Sequence, residues 1–191
     1  MPEFLTPTTE LEAVNAILAS VGESPVAALD GEFVDAEIAR GLLTQESRAV
    51  QTEGYTFNTE ADYPLAPDVE GRIFLPQNTL SFLFEDTSLI QRGNRVYDRV
   101  NRRYDGFTSA ITATLVLALN FDELPESLRR FLYIRAGRRF QDRLQSDEVL
   151  HRFQERDEIG AWAAFQNYVA AQGKFNVLTS SSLVSRLKAN R

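Results

Sequence analysis

The hydrophobic pattern of this chain changes period twice, and no single layer of secondary structure accommodates both periods. Leu11, Val14, Ile17, Leu18 and Val21 recur at helical spacing, residues 55 to about 120 hold short strand-like runs, and helical spacing returns from Pro125. Side chains on one helix face repeat every 3.6 residues and those on one strand face every 2, so the patterns belong to different elements. The expected fold class is α+β: mainly a bundle of about four helices, with a β-rich insertion containing a hairpin and an extended C-terminal arm. The bundle is expected from residues 1–54 plus 121–173, the insertion from 55–120 and the arm from 174–191.

Local signals refine this outline. Thr9 and Glu12 stand at the spacing of a capping box, and Gly22 stands where a left-handed residue ends a helix. A second helix is expected from about Asp35 to Glu53, closed by Gly54. Tyr55, Phe57 and Thr59 then alternate with polar residues, and Ile73 to Leu75 and Leu80 to Phe84 are apolar runs of strand length. Gly93-Asn94 reads as a two-residue hairpin turn, and Thr108 to Leu119 has the β-branched content of a buried strand. Pro125 suits the first turn of a third helix, which buries Leu128, Phe131, Leu132, Ala136, Phe140 and Leu144 and carries arginines elsewhere. A fourth helix is expected from about Asp147 to Gln172, stopping at Gly173.

The residue inventory removes most catalytic chemistry. Among 191 residues there is no cysteine and one histidine, His151, which excludes disulfides, thiol catalysis and cysteine-held metals and leaves histidine chemistry without partners. No catalytic residue, metal or cofactor is expected. The glycines form no phosphate-binding loop and the serines no nucleophile elbow. Asp122, Glu123 and Glu126 offer the paired carboxyls of a glycosidase, although carboxylates at a helix start are also accounted for by the helix dipole. No apolar run approaches the roughly 18 residues of a membrane helix. The start, MPEFLTPTTE, has neither the basic nor the apolar region of a signal peptide. Neither membrane insertion nor signal-directed secretion is expected.

Charge is segregated along the chain. Residues 1–91 hold sixteen acids against Arg40, Arg48 and Arg72, whereas residues 92–144 hold eleven arginines against six acids and residues 174–191 are basic with no acid. Arg92, Arg95, Arg99, Arg102 and Arg103, interleaved with Tyr97 and Tyr104, resemble a nucleic-acid patch. Asp98 and Asp105 interrupt it and the net charge is −7, so a protein contact through arginine is the expected use. Arg135, Arg138 and Arg139 on the third helix are expected to pair with Glu155, Asp157 and Glu158 on the fourth. The pairs can lie within one chain or between subunits.

Four stretches, in order, resemble the tail tubular protein A, or tail adaptor, family of short-tailed bacteriophages. The clearest is Glu10 to Val26, ELEAVNAILASVGESPV, which is similar to the family's ELxAVNxILAxxGExPV start. The others are Gly54 to Asn58, the hairpin Arg92-Gly93 with Val96 to Arg99, and Asp122 to Glu126 leading into the arginine-bearing helix.

The resemblance implies a non-enzymatic virion protein, made in the host cytoplasm. Twelve copies would form a ring below the portal protein, join it to the nozzle protein (tail tubular protein B) and line the channel through which DNA leaves. It implies a portal or ring contact through Leu178, Leu183, Val184, Arg186, Leu187 and Lys188, and a ring or nozzle contact through the hairpin arginines with Tyr97. An acidic lumen would repel passing phosphates within a Debye length of about 8 Å. The alternative expectation is a tail-associated, glycoside hydrolase-like protein acting through Asp122, Glu123 and Glu126; a third is a free DNA-binding regulator.

Overall fold

The structure, a computed structural model, describes residues 6–30, 33–84, 86–144 and 147–180. They fall into two compact units, one within Met1–Ser47 and Asn120–Arg191, the other Arg48–Leu119. Helices make up the first and antiparallel strands dominate the second.

In the helical unit, the Thr9 N–H donates to Glu12 Oε2 at 2.8 Å and the Glu12 N–H to Thr9 Oγ1 at 3.2 Å, which starts α1 (Glu10–Ala19). Its exit is a Schellman turn: Gly22 has φ of 83°, and the Gly22 and Glu23 amides donate to the Ala19 and Leu18 carbonyls. The buried face of α1, Ala13, Val14, Ile17 and Leu18, packs toward α3 (Glu126–Leu144). Gly137 permits the approach, since a Cβ there would lie 3.4 Å from Ser20 Oγ. On α3, Leu128, Phe131, Leu132, Ala136 and Phe140 are buried at helical spacing. Helix α4 (Glu148–Ser180) lies on α3 through Ala161 and Phe165, with the Trp162 ring 4.8 Å from that of Phe131. Helix α2 (Val34–Gln51) contributes Ala36, Ala39, Leu42 and Leu43 to the buried set.

Gly173 does not end α4, which continues to Ser180. One interior glycine costs about 1 kcal/mol relative to alanine, too little to stop a helix already propagating. The part of the expected extended arm at residues 174–180 is therefore helical, while residues 181–191 lie outside the described residues.

In the second unit, β1 (Thr59–Leu65), β2 (Thr79–Leu83) and β5 (Ile111–Leu117) form a sheet of order β1-β5-β2, and β3 (Leu89–Arg92) pairs with β4 (Arg95–Asp98). Strand β5 is central because its alternate residues Ala113 and Leu115 are buried against Leu65, Ile73, Leu75, Phe84 and Val96. Pro64, which has no amide to donate, sits on the edge strand β1. Two strand-like runs behave differently from their pattern. Tyr55 and Phe57 stack with ring centroids 5.5 Å apart in a turn before β1, and Ile73 to Leu75 make only an isolated bridge, Phe74 to Arg95.

Two buried amides lock the ends of this unit together. Gln51 donates from Nε2 to the Leu119 carbonyl at 3.1 Å and accepts at Oε1 from the Leu119 amide at 2.8 Å. Asn58 Nδ2 donates to the Gln51 and Leu117 carbonyls at 2.9 and 3.0 Å, and its Oδ1 accepts from the Tyr55 amide at 2.8 Å. Gln51→Ala strips two backbone groups of their partners, and is expected to cost about 2 kcal/mol. Urea unfolding measures it, and an unchanged midpoint contradicts the clamp.

Candidate interaction surfaces

Strands β3 and β4 meet in register at Arg92 and Arg95, across a two-residue loop. Gly93 there has φ of 66° while Asn94 keeps a negative φ, as a type II′ turn requires. The hairpin is tied down by Val96, fully buried, whose amide donates to the Ile73 carbonyl at 3.0 Å. On its other face the Arg92 guanidinium lies 3.8 Å from the centre of the Tyr97 ring, and that of Arg95 lies 4.5 Å from Tyr104. The two tyrosines meet edge-on with centroids 4.9 Å apart. Cation–π contacts at exposed sites contribute about 0.5–1 kcal/mol each, enough to hold the guanidinium groups in place.

Asp98 builds the loop that follows. Its Oδ1 accepts from the Val100 and Asn101 amides at 2.8 and 2.9 Å, and its Oδ2 from Asn101 Nδ2 at 2.7 Å. The Asn101 backbone bond, then the Asn101 side chain, hold the Asp98 carboxyl below the usual range. Arg102 takes a positive φ of 55°, and the Arg103 guanidinium covers Gly106 so closely that a Cβ there would lie 2.5 Å from Arg103 Cζ. Arg92, Arg99, Arg102 and Arg103 are exposed and Arg95 is half-buried.

A second constellation lies in the helical unit. Glu46 of α2 is 1% exposed, yet Arg135 Nε stands 2.8 Å from its Oε2, and Arg139 pairs with its Oε1. Arg138 Nε donates to Glu158 Oε2 at 2.6 Å, which raises the arginine's affinity for its proton, and Glu158 Oε1 is 3.9 Å from Arg135. Arg138 also reaches Asp142 at 3.8 Å, and Asp142 Oδ1 lies 2.7 Å from His151 Nδ1. The pairs thus join α2, α3 and α4 within one chain. Of the acids singled out on α4, Glu158 enters this cluster, whereas Glu155 and Asp157 are exposed and make no ion pair among the described residues.

Glu46 and Arg129 are the residues that sequence reasoning missed. Glu46 continues the apolar spacing of Ala39, Leu42 and Leu43, a carboxylate on a buried face, and that was its signal. Arg129, 7% exposed, donates to three carbonyls: Leu124 at 2.8 Å, Thr8 at 2.7 Å and Asp122.

The three carboxylates considered for glycan chemistry have structural partners or lie in solvent. Glu126 accepts from the Thr8 amide and hydroxyl at 2.9 and 2.6 Å, Glu123 accepts from the Asn120 amide at 2.8 Å, and Asp122 is exposed. Among the described residues no group of three or more His, Cys, Asp or Glu is placed to hold a metal, and no helix is long and apolar enough to cross a membrane. Leu178 lies in the last turns of α4, and Leu183, Val184, Arg186, Leu187 and Lys188 lie outside the described residues.

Of the four α-helices, α4 has the smallest buried share among the described side chains. Its 33 residues include only two fully buried ones, Ala161 and Phe165, among those whose side chains are described, while Val149, Phe153 and Ile159 are at least 60% exposed. A family model described as tail tubular protein matches residues 11–175. The chain belongs to the tail tubular protein family. Tail tubular proteins are structural components of the bacteriophage tail, so the chain is a virion part. It is also 30% identical, over 119 residues, to tail tubular protein A of Klebsiella phage KP34, an overlap that covers 61% of this chain and 63% of that relative.

Glu46→Gln keeps the side-chain volume but removes the charge that Arg135 and Arg139 share, and is expected to destabilise the fold by about 2 kcal/mol, at the low end because both arginines are part-solvated. Thermal unfolding at neutral pH tests it. The lowered Asp98 value means that its loop is favoured above the ordinary carboxylate range and loses that support as pH falls through the native value. An NMR titration is expected to show Asp98 protonating at lower pH than a free aspartate; a midpoint at or above the free value contradicts the assignment.

Proposed function

We propose that copies of this chain associate as a dodecameric ring that joins the portal to the tail nozzle and lets DNA pass through its lumen. The observation that carries the reading is α4. A helix of 33 residues spans about 50 Å at 1.5 Å per residue, and among its described side chains a single chain buries only Ala161 and Phe165. Such a helix gains its remaining burial from neighbours. The exposed apolar residues Val149, Phe153 and Ile159 are the kind of surface that partners cover.

Family membership supports the tail assignment, and the resemblance of the opening helix and hairpin to tail tubular protein A supports the portal and nozzle contacts. In this reading the end of α4 and residues 181–191, with Leu183, Val184 and Leu187 as apolar anchors and Arg186 and Lys188 as electrostatic guides, meet the portal. The hairpin arginines meet ring or nozzle neighbours, where fixed guanidinium groups favour carboxylate partners. The acid-rich first half of the chain supplies surface that repels DNA passing through.

Removing residues 174–191 leaves Ala161, Trp162 and Phe165 in place, so the fold is expected to persist while portal binding is lost. Circular dichroism and co-sedimentation with purified portal check the two halves of this expectation. Portal binding of undiminished affinity after truncation contradicts the contact.

A further inference from the structure

Three glycines inside helices of the helical unit, Gly41, Gly160 and Gly173, meet no neighbour that would exclude a side chain, and the first two stand in a shared sequence pattern. Gly41 of α2 and Gly160 of α4 are interior helical positions without positive φ, and a Cβ built on either meets nothing within 4 Å. Gly137 differs, because Ser20 stands 3.4 Å from its would-be Cβ. Glycine weakens a helix relative to alanine, so open space around it calls for a benefit outside the chain.

The two sites share a pattern. On α2, Val34 is followed by Glu37 three residues later and Gly41 seven later; on α4, Phe153 is followed by Arg156 and Gly160 at the same spacing. Those intervals place each trio on one helix face over two turns. Val34 is 73% exposed and Phe153 60%, Glu37 and Arg156 are exposed, and Ile38 and Ile159 add further uncovered apolar surface beside them. Arg40 pairs with Glu10 and also feels the charge of Glu37, and Arg152 reaches Glu148, whereas Arg156 makes no ion pair among the described residues.

We infer that the α2 face of one copy packs against the α4 face of a second copy, with Gly41 and Gly160 at the closest approach of the helices and Glu37 facing Arg156. The two faces carry opposite charges at the matched position and an exposed apolar residue at each start, so a second copy of this chain is the occupant that fits. Because the faces are different surfaces, the contact is head-to-tail and propagates to a third copy, as a ring requires. The inference rests on the ring reading and adds the residues that make its subunit contact.

The test uses the full chain in sedimentation velocity across a concentration series. Gly41→Leu and Gly160→Leu are expected to leave the melting midpoint unchanged or raise it by about 2–4 °C, since both sites are open and leucine is the better helix former. Each is expected to weaken self-association by about tenfold or more, because the added side chain holds the neighbouring helix away. Glu37→Arg and Arg156→Glu are each expected to weaken association about tenfold, and the double variant to restore it. Association that ignores all four substitutions overturns the contact and leaves the ring reading standing. A wild-type chain that stays monomeric up to its solubility limit, alone and with portal, overturns both.

Discussion

A segment inserted into another structure has to leave and return at neighbouring points, and in this chain that closure is made by side-chain amides. Gln51 bonds both backbone groups of Leu119, while Asn58 spans Gln51 and Leu117. Three further features depend on it. The last residue of β5, the central strand, is pinned, with the Leu117 amide donating to the Asn58 carbonyl at 2.8 Å. Gly54 takes the left-handed turn that lets the chain double back, with φ of 77° and Val116 Cγ2 only 3.1 Å from where a Cβ would stand. The apolar cluster around Ile73, Val96 and Leu115 then closes over a sheet whose two ends are already joined.

The helical unit solves a different problem, which is how to carry many arginines without exposing all of them. Arg129 is spent on the carbonyls of Asp122 and Leu124 ahead of α3 and of Thr8 ahead of α1, and Arg135, Arg138 and Arg139 on Glu46 and Glu158. Replacing such pairs by apolar residues is often neutral in stability, so their value lies as much in fixing how α2, α3 and α4 meet as in energy. The arginines of the hairpin are arranged otherwise. Tyr97 and Tyr104 orient Arg92 and Arg95 without neutralising them, which leaves their charge for a partner.

Features set by near neighbours in sequence were readable in advance. The Thr9/Glu12 box, the Gly22 exit and the Gly93 turn depend on a few residues whose backbone demands are local, and each forms as its motif dictates. What the sequence concealed depends on tertiary surroundings. Tyr55 and Phe57 alternate like a strand, but Asn58 is held by Gln51 and Leu117 and bends the segment into a turn. Gly173 looks like a stop, yet a long helix absorbs one glycine. Arg129 reads as one more surface arginine until the carbonyls of Thr8, Asp122 and Leu124 converge on it. Charge pairing between α3 and α4 reaches Glu158 but neither Glu155 nor Asp157, and the part played by Glu46 required knowing that α2 turns that face inward.

The inventory that leaves the chain without thiols and with one histidine suits a structural tail protein. In the proposed function the chain acts as a ring subunit on the portal. Multi-angle light scattering of the purified full-length chain mixed with purified portal measures that most directly. The account predicts a complex whose added mass corresponds to twelve copies per portal. Added mass of a single copy, or none at saturating concentrations of the chain, contradicts it.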